Sequence, residues 1–520
     1  MRATLPPDYP DKEILELLKF GFPLNFCGPP IPPRTVENYG GATMYPAHIN
    51  KFLARDLALG RIFGPFPSPP FVDAVINPLN SVPKKDSSDR RTILDLSHPK
   101  DGPSVNSGTP KETYLGEDWR LRYVRVDDLR DLILELGRGC ALYKRDWLHA
   151  YRNLPLDPGC VHLVGYEWEG YFYFDGVESM GGRTGGLACQ RTQNAVCAIG
   201  KRAELNPLGY LDDAAGAATP EKGESDFYKL GLLIEWCGLQ EARHKACRPS
   251  TRMPFLGITF DTLRMTMEIP PEKLLEVRAL LASWLTRTQA TKREMQSLAG
   301  SLNFVASIVI PGRVFMFRLF QFVREAPESG YHPLDRQVHA DIRWWSTFLP
   351  TFGGLSMIPE PTWSEPDAQF SVDACLAGAG GMCGSEYFHC PIPPSLRDLD
   401  INSLELRTLL VGLRLWASAL RGKRVQVWSD NWATVVTMST NRASSPQFQA
   451  CHRAIFHVLA CNQVLLRVRH LPSAENRAAD LLSRVALNPI HESHFLREFA
   501  HLSPVRLAVD PALFSVDDPW

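Results

Sequence analysis

The run Gly209-Tyr210-Leu211-Asp212-Asp213 sets two consecutive carboxylates after an apolar approach and before the small, turn-prone Ala214-Ala215-Gly216. Adjacent carboxylates repel, and a site that keeps them together usually offers them a cation. Neighbouring side chains on a strand point to opposite faces, so a metal centre needs one of the pair plus a carboxylate from elsewhere. Asp146 is the best-placed candidate. It ends the partly apolar run Ala141-Leu142-Tyr143-Lys144-Arg145 and is followed by Trp147-Leu148-His149-Ala150-Tyr151. Two strands that each deliver an aspartate to one point make a two-metal phosphoryl-transfer site. A lone Asp-Asp without that context reads as a solvated turn.

A second acidic set lies further along. Asp373 closes Gln369-Phe370-Ser371-Val372, and Glu405 opens a helical stripe of Leu406, Leu409, Leu410, Leu413 and Ala417 that ends at Gly422. Asp430 follows the strand pattern Val425 to Ser429, and Asp480 precedes Leu481-Leu482-Ser483-Arg484. Four converging acids can hold two Mg2+ ions about 4 Å apart. Taken singly, Glu405 also reads as the third-position acid of a capping box begun at Asn402, and Asp480 as an exposed helical residue. The order strand, helix, strand, helix is what groups the four.

The elements that must position these acids follow from length and punctuation. A chain of 520 residues exceeds one ordinary core, which predicts three or more folding units. With 44% hydrophobic and 22% charged residues the composition is that of a globular chain, and a net charge of −1 leaves a polyanionic partner undecided. Distribution says more: Arg287 to Arg324 holds six basic residues and one acid, a local balance of +5 suited to a phosphate backbone. The first seventy or so residues are rich in Pro and Gly, which predicts an extended wrapping segment broken by short helices such as Ile14 to Phe20. Thr291 to Glu294 reads as a capping box before Met295, Leu298, Ala299, Leu302 and Val305 at helical spacing. The prolines between Ile358 and Pro366 read as a linker, and His491 to Trp520 shows no periodicity.

The twelve cysteines include no Cys-x-x-Cys pair, and Cys383, His389 and Cys390 lack zinc-ribbon spacing, so reduced thiols in an intracellular protein, cytoplasmic or nuclear, are expected. No apolar run reaches the ~18 residues of a membrane span, and Met1 to Pro7 does not start a signal peptide.

With both acidic sets in order, the chain resembles the reverse transcriptase and ribonuclease H segment of retroelements, and is most similar to DIRS-type (tyrosine-recombinase) retrotransposons. The likeness runs from Gly64-Pro65-Phe66 through Pro83-Lys84-Lys85-Asp86 and Leu94-Asp95-Leu96-Ser97 to Asp480-Leu481-Leu482-Ser483-Arg484. It implies an α+β and α/β multidomain fold, a right-hand polymerase (fingers, palm, thumb) followed by a ribonuclease H-like mixed-sheet domain. The expected divisions are a wrapping segment at 1–75, fingers and palm at 76–265, a helical thumb or connection at 266–357, a linker at 358–368, the ribonuclease H-like domain at 369–487 and a tail at 488–520.

The resemblance also implies roles. Asp146 and Asp212 are the palm metal ligands, with the Trp147 carbonyl as a further ligand and Asp213 as the neighbouring acid. Lys84, Lys85 and Arg91 match the fingers residues that hold the incoming triphosphate, and Tyr151 the residue under the sugar that excludes a 2′-hydroxyl. Met180 to Gly186 occupies the template-and-nucleotide loop, where Gly181 allows close backbone approach. Gly185 and Gly186 stand where many such enzymes carry Ser-Pro or Ser-Ser, and the added glycine favours a looser loop. Lys245 matches the lysine that protonates the leaving pyrophosphate, and Phe255-Leu256-Gly257-Ile258 the primer-gripping hairpin. Asp373, Glu405, Asp430 and Asp480 match the four-acid nuclease site, with His470 near the family's mobile histidine.

The implied cofactor is Mg2+, two per active site, with Mn2+ as a substitute. The implied partners are an RNA template, a DNA or RNA primer, an RNA/DNA hybrid and deoxynucleoside triphosphates, with other element-encoded proteins such as a recombinase, and no membrane. Two other readings stand beside this one. The first is a non-catalytic nucleic-acid-binding protein domesticated from such an element. The second is an RNA-dependent RNA polymerase, against which Tyr151 and the hybrid nuclease speak.

Overall fold

The computed structural model describes residues 4–84, 88–118, 121–358, 365–440 and 445–517. Its contacts divide the chain into two mixed α and β units, Met1–Leu256 with Asp261–Arg264, and Gly257–Phe260 with Met265–Trp520. That is fewer than the three or more expected from length. The reason is that one unit carries more than one core.

In the first unit the elements used below are α1 (Ile14–Phe20), α2 (Pro46–Ala58), β1 (Ile62–Phe66), β2 (Leu79–Pro83), β3 (Arg90–Leu94), β4 (Ala141–Asp146), β5 (Gly165–Trp168), β6 (Tyr171–Asp175), α3 (Gly185–Arg202), β7 (Pro207–Tyr210), β8 (Asp213–Ala218), α4 (Gly223–Trp236) and β9 (Cys247–Ser250). One core gathers Ile49, Leu53, Ile62, Tyr166 and Phe174 around the sheet β1-β6-β5. The other packs Ile14, Phe22, Tyr143, Ala188, Val196, Ala214 and Ile234 around the sheet β9-β4-β8-β7.

The small residues of β8 make the second packing feasible. Gly216 pairs with Tyr143 across the ladder, and a Cβ there would lie 2.5 Å from the Tyr143 ring. The proline-rich start of the chain is not merely a wrapping segment. Pro46 opens α2 where a missing N–H costs nothing, and this helix and β1 both bury side chains in the first core.

In the second unit the elements are α5 (Lys292–Ala306), α6 (Phe317–Glu325), α7 (Arg336–Phe348), β10 (Ala368–Ala374), β11 (Gly378–Cys383), β12 (Glu386–Pro391), α8 (Ile401–Leu415), β13 (Arg424–Ser429), α9 (Trp432–Thr440), α10 (Pro446–Asn462), β14 (Leu465–His470), α11 (Arg477–Ser483), α12 (Ile490–Glu498) and β15 (Val505–Arg506). The six-stranded sheet runs β14-β13-β10-β11-β12-β15. Its β10-β13 and β13-β14 pairs are parallel and its β10-β11-β12 meander is antiparallel. The Thr291 capping box forms as expected, with Glu294 returning to the Thr291 N–H.

Three expectations change here. First, the helical region at 266–357 and the segment at 369–487 are not separate bodies. Trp344 donates to His457 Nδ1 at 3.0 Å, and Arg453 is paired with the fully buried Asp341. Residues 359–364 of the expected linker lie outside the described residues. Second, the helix carrying Glu405 is capped by Asp400, which accepts from Ser403 N–H at 3.1 Å, so Asn402 caps nothing in it. That helix ends at Leu415 and a short second one, Ala417–Leu420, precedes Gly422. Third, the tail is structured: α12 packs Phe495 into a small core, β15 extends the sheet alongside β12, and Phe514 is buried. Among the described residues no helix is long and apolar enough to cross a membrane.

Candidate active sites

The first site is built on a two-residue turn. β7 and β8 form a hairpin in which Tyr210 pairs with Asp213, leaving Leu211 and Asp212 as the turn, with Leu211 at φ 52°. Two glutamines on α3 hold it. Gln190 accepts from Leu211 N–H at 2.8 Å and donates to the Gly209 carbonyl at 2.9 Å, while Gln193 donates to the Asp213 carbonyl at 3.0 Å. Gly209 is required for this approach, because a Cβ there would lie 2.3 Å from Gln193 Cγ.

The β4-β8 register sets Asp213 directly opposite Asp146, and the Trp147 N–H donates to the Asp212 carbonyl at 3.0 Å. Asp146 and Asp213 thus face each other on adjacent strands, and Asp212 sits in the turn that precedes Asp213. Lysines answer them: Lys144 donates to Asp213 at 3.2 Å and Lys245 to Asp146 at 3.1 Å. Burial and the neighbouring Asp213 raise the Asp212 carboxyl above its ordinary range. Burial also raises Asp213, with Lys144 pulling it down and Asp146 pushing it up.

Asp212 opens into a cavity of about 450 Å3 that Lys84, Arg91, Trp147, Tyr151 and Lys245 also line. Lys84 follows β2 of the β2-β3 hairpin and faces Asp89 at 3.6 Å, and Arg91 lies on β3 close enough to pull the Asp212 carboxyl down. Lys85 lies outside the described residues. Tyr151 is half-buried, and burial pushes its hydroxyl up to about 12.

The loop from Met180 to Gly186 is pinned rather than loose. The Met180 carbonyl accepts from Leu94 N–H at 2.9 Å, and Asn106 donates to the Gly181 carbonyl and accepts from Arg183 N–H. Gly181 has φ 128°, and a Cβ there would lie 2.0 Å from the Leu94 carbonyl oxygen. Gly185 begins α3 against the Tyr151 ring, 3.1 Å from the place of its Cβ.

Sequence reasoning missed three supports. Arg152 is buried and bridges Asp175, at 2.5 and 3.0 Å, and Asp56, at 2.8 Å. Because Ser179 also donates to Asp175 at 2.6 Å, this network anchors both the Tyr151 turn and the start of the loop. Lys144 could have been found, since period-2 alternation places it on the Asp146 face of the strand. Glu178 carried no local signal. It is fully buried, neither carboxyl oxygen has a hydrogen-bond partner, and burial followed by Asp175 raises its carboxyl to about 8.

The second site lies in the second unit. Asp373 on β10, Glu405 on α8 and Asp430 after β13 bring ligand oxygens within 4.8 Å of one another, the one such group among the described residues. Asp480 stands outside that group, bonded to Arg484 at 2.5 Å, yet it is near enough to raise Asp373. Ser483 donates to Asp373 at 2.5 Å, Ser473 to Asp430 at 2.5 Å, and the Ala374 N–H to Glu405 at 3.2 Å. Burial first pushes both the Asp373 and Glu405 carboxyls up; Asp373 and Asp430 then add to Glu405, and Asp430 adds to Asp373 against the lowering hydrogen bond from Ser483. Crowded, desolvated acids of this kind are relieved by a divalent cation, so the donor set fits one. His470 ends β14, and its Nε2 lies 3.1 Å from the Asp430 carbonyl oxygen.

No protein-family model matches the chain, and no curated protein sequence matches it. Among solved structures, it is similar to the foamy viral protease-reverse transcriptase dRH in complex with double-stranded DNA. The two are 14% identical, with a TM-score of 0.46 over 86% of this chain and 73% of that one. The foamy viral protease-reverse transcriptase with double-stranded DNA gives 14% identity and a TM-score of 0.45 over 86% and 87% of the two chains. The same protein with an RNA/DNA hybrid gives 14% and 0.41 over 86% and 56%. At that identity and those scores, the functional reading rests on this chain's own residues.

Proposed function

We propose that the chain is an RNA-directed DNA polymerase with a coupled ribonuclease H, acting in the cytoplasm or nucleus for a retroelement of the DIRS type. In this reading the first unit supplies fingers and palm, the helices of the second supply the thumb or connection, and its six-stranded sheet carries the nuclease. The observation that carries the proposal is the meeting of Asp146, Asp212 and Asp213 beside a cavity whose other walls offer Lys84, Arg91, Lys245 and Tyr151. Acids and cations gathered around one cavity suit a metal-bound triphosphate.

Asp146, Asp212 and the Trp147 carbonyl would hold Mg2+ in the palm, and Asp373, Glu405, Asp430 and Asp480 in the nuclease, with Mn2+ as a substitute. The ion supplies charge neutralisation and lowers the pKa of an attacking oxygen. The chain's own residues do the rest. Lys84, Lys85 and Arg91 bind the phosphates, and Tyr151 packs under the sugar and leaves no room for a 2′-hydroxyl. Gly181 seats the template-and-nucleotide loop against β3, while Lys245 holds a proton for the departing pyrophosphate. In the nuclease, Ser483 and Ser473 orient Asp373 and Asp430.

Primer extension on an RNA template with deoxynucleotides and Mg2+ tests the polymerase. Asp212→Asn is expected to lower synthesis roughly a thousandfold and leave hybrid cleavage intact, and Asp430→Asn to do the converse. Unchanged synthesis in Asp212→Asn overturns the palm assignment.

A further inference from the structure

Glu178 is fully buried, and neither of its carboxyl oxygens has a hydrogen-bond partner. Its backbone is tied to the Tyr151 turn: Glu178 N–H donates to the Leu154 carbonyl at 2.9 Å, and Leu154 N–H donates to that of Tyr151 at 3.1 Å. The side chain reaches towards the start of α3. Its Oε2 lies 3.5 Å from the place of a Cβ on Gly185 and 3.8 Å from that of one on Gly182, and the Tyr151 ring lies 3.1 Å from the same Gly185 position. The space that a side chain at Gly185 would take is therefore shared by the Tyr151 ring and the Glu178 carboxyl. The groups around that carboxyl are acids and weak acids: Asp175 at the end of β6, Tyr114, Tyr151, Cys160 and Cys189 of α3. The arginines nearby are engaged elsewhere, Arg152 on Asp175 and Asp56, Arg183 on the Thr109 carbonyl and Arg191 on Asp11. An apolar side chain of similar size would fill this space without the desolvation cost, and buried acids kept at such a cost tend to mark functional positions.

We infer that Glu178 is a positioning residue for the sugar-facing Tyr151: its carboxyl, wedged beside the ring at Gly185, sets the room left to the ring and so how firmly a 2′-hydroxyl is excluded. The inference rests on the polymerase reading above. Gly182 and Gly185 have no side chains with which to support the ring, so the acid supplies that wall. Only the neutral acid can do so, because a carboxylate in that space, with Asp175 as its charged neighbour, must draw in water. Burial, and then Asp175, hold the proton on Glu178 up to about 8. Below that pH the wall is dry and fixed. Above it, water enters beside Gly185, the ring gains room and a ribose is admitted more readily. Exclusion of ribonucleotides is thus complete at low pH and weakens as pH rises through about 8.

The experiment uses the full chain, a primer on an RNA template and Mg2+, and compares kcat/KM for single deoxynucleotide and ribonucleotide additions between about pH 6.5 and about pH 9. Taking the ratio for the two sugars cancels the pH dependence of the chemical step they share. In the wild type this ratio is expected to fall on the order of tenfold across that range, through a lower KM for the ribonucleotide. Glu178→Gln should keep the low-pH ratio throughout, and Glu178→Ala should show the reduced ratio at every pH. A wild-type ratio that does not change with pH, or a Glu178→Gln protein that follows the wild type, overturns the inference and leaves the polymerase reading standing. A wild type that extends no primer at any pH overturns both. Should the alanine variant melt early, the wild-type and Glu178→Gln profiles decide.

Discussion

Burial decides what Glu178 can be. A carboxyl with no partner for either oxygen and no solvent is held neutral, and its raised value of about 8 follows from desolvation, with Asp175 adding to it. The unfolded chain releases this proton near its ordinary value of 4.5, while the folded chain keeps it to about 8. Stability therefore falls as pH rises through that window and is level above it. Glu178→Gln removes the ionisation with little change of shape. Its melting temperature should match the wild type near pH 4.5 and exceed it by several degrees above pH 8, checked by melting curves across that range. A parallel decline of both proteins would mean that Glu178 does not ionise there. The same scale separates the aspartates: register makes Asp213 the partner of Asp146 and Lys144, and the turn leaves Asp212 to the cavity.

Among the elements, the loop from Met180 to Gly186 shows how glycine gives rigidity as well as freedom. Gly181 lies at φ 128° against the Leu94 carbonyl, and its own carbonyl is tied to Asn106. The looser loop expected from glycine content does not form, because tertiary hydrogen bonds replace the restriction that side chains would supply. Gly181→Ala must break the contact with β3 and adopt a backbone conformation that costs an L-residue about 1–2 kcal/mol, before any steric term. A lower melting temperature and a several-fold higher KM for deoxynucleotides, with Asp212-dependent synthesis retained, are expected in steady-state extension assays.

At the scale of the whole molecule, the last thirty or so residues complete the second unit. Phe514 is buried, Arg407 donates to its carbonyl at 2.8 Å, and Arg414 donates to the carbonyls of Leu513 at 2.7 Å and Ser515 at 2.6 Å. Removing the tail would leave the buried Arg407 without that acceptor, expose the apolar surface under Phe514 and free the β12 edge. A chain ending at Asn488 is expected to melt about 5 °C or more lower and to lose hybrid cleavage at temperatures where the full chain retains it. Scanning calorimetry with parallel cleavage assays checks this.

Much of the candidate chemistry was legible in the linear chain. Asp146, Asp212, Asp373 and Asp430 stand at strand ends that alternation and turn residues mark within a few positions, and the Thr291 cap and the α1 helix are equally local. The tail was not legible, because its nine-residue helix and two-residue strand are too short to set a period and are stabilised by Tyr387 and its strand, about a hundred residues away. Nor were Glu178, the Arg152 network or the stacking of Trp432 on His470. The sequence by itself determined which acids end which elements and in what order. Only the tertiary structure decided that Asp213 faces Asp146, that Asp480 stands apart from its three companions, and that Trp432 stacks on His470. The physical reason is range: propensity and periodicity are written over a few residues, whereas register, burial and stacking depend on which distant segments meet.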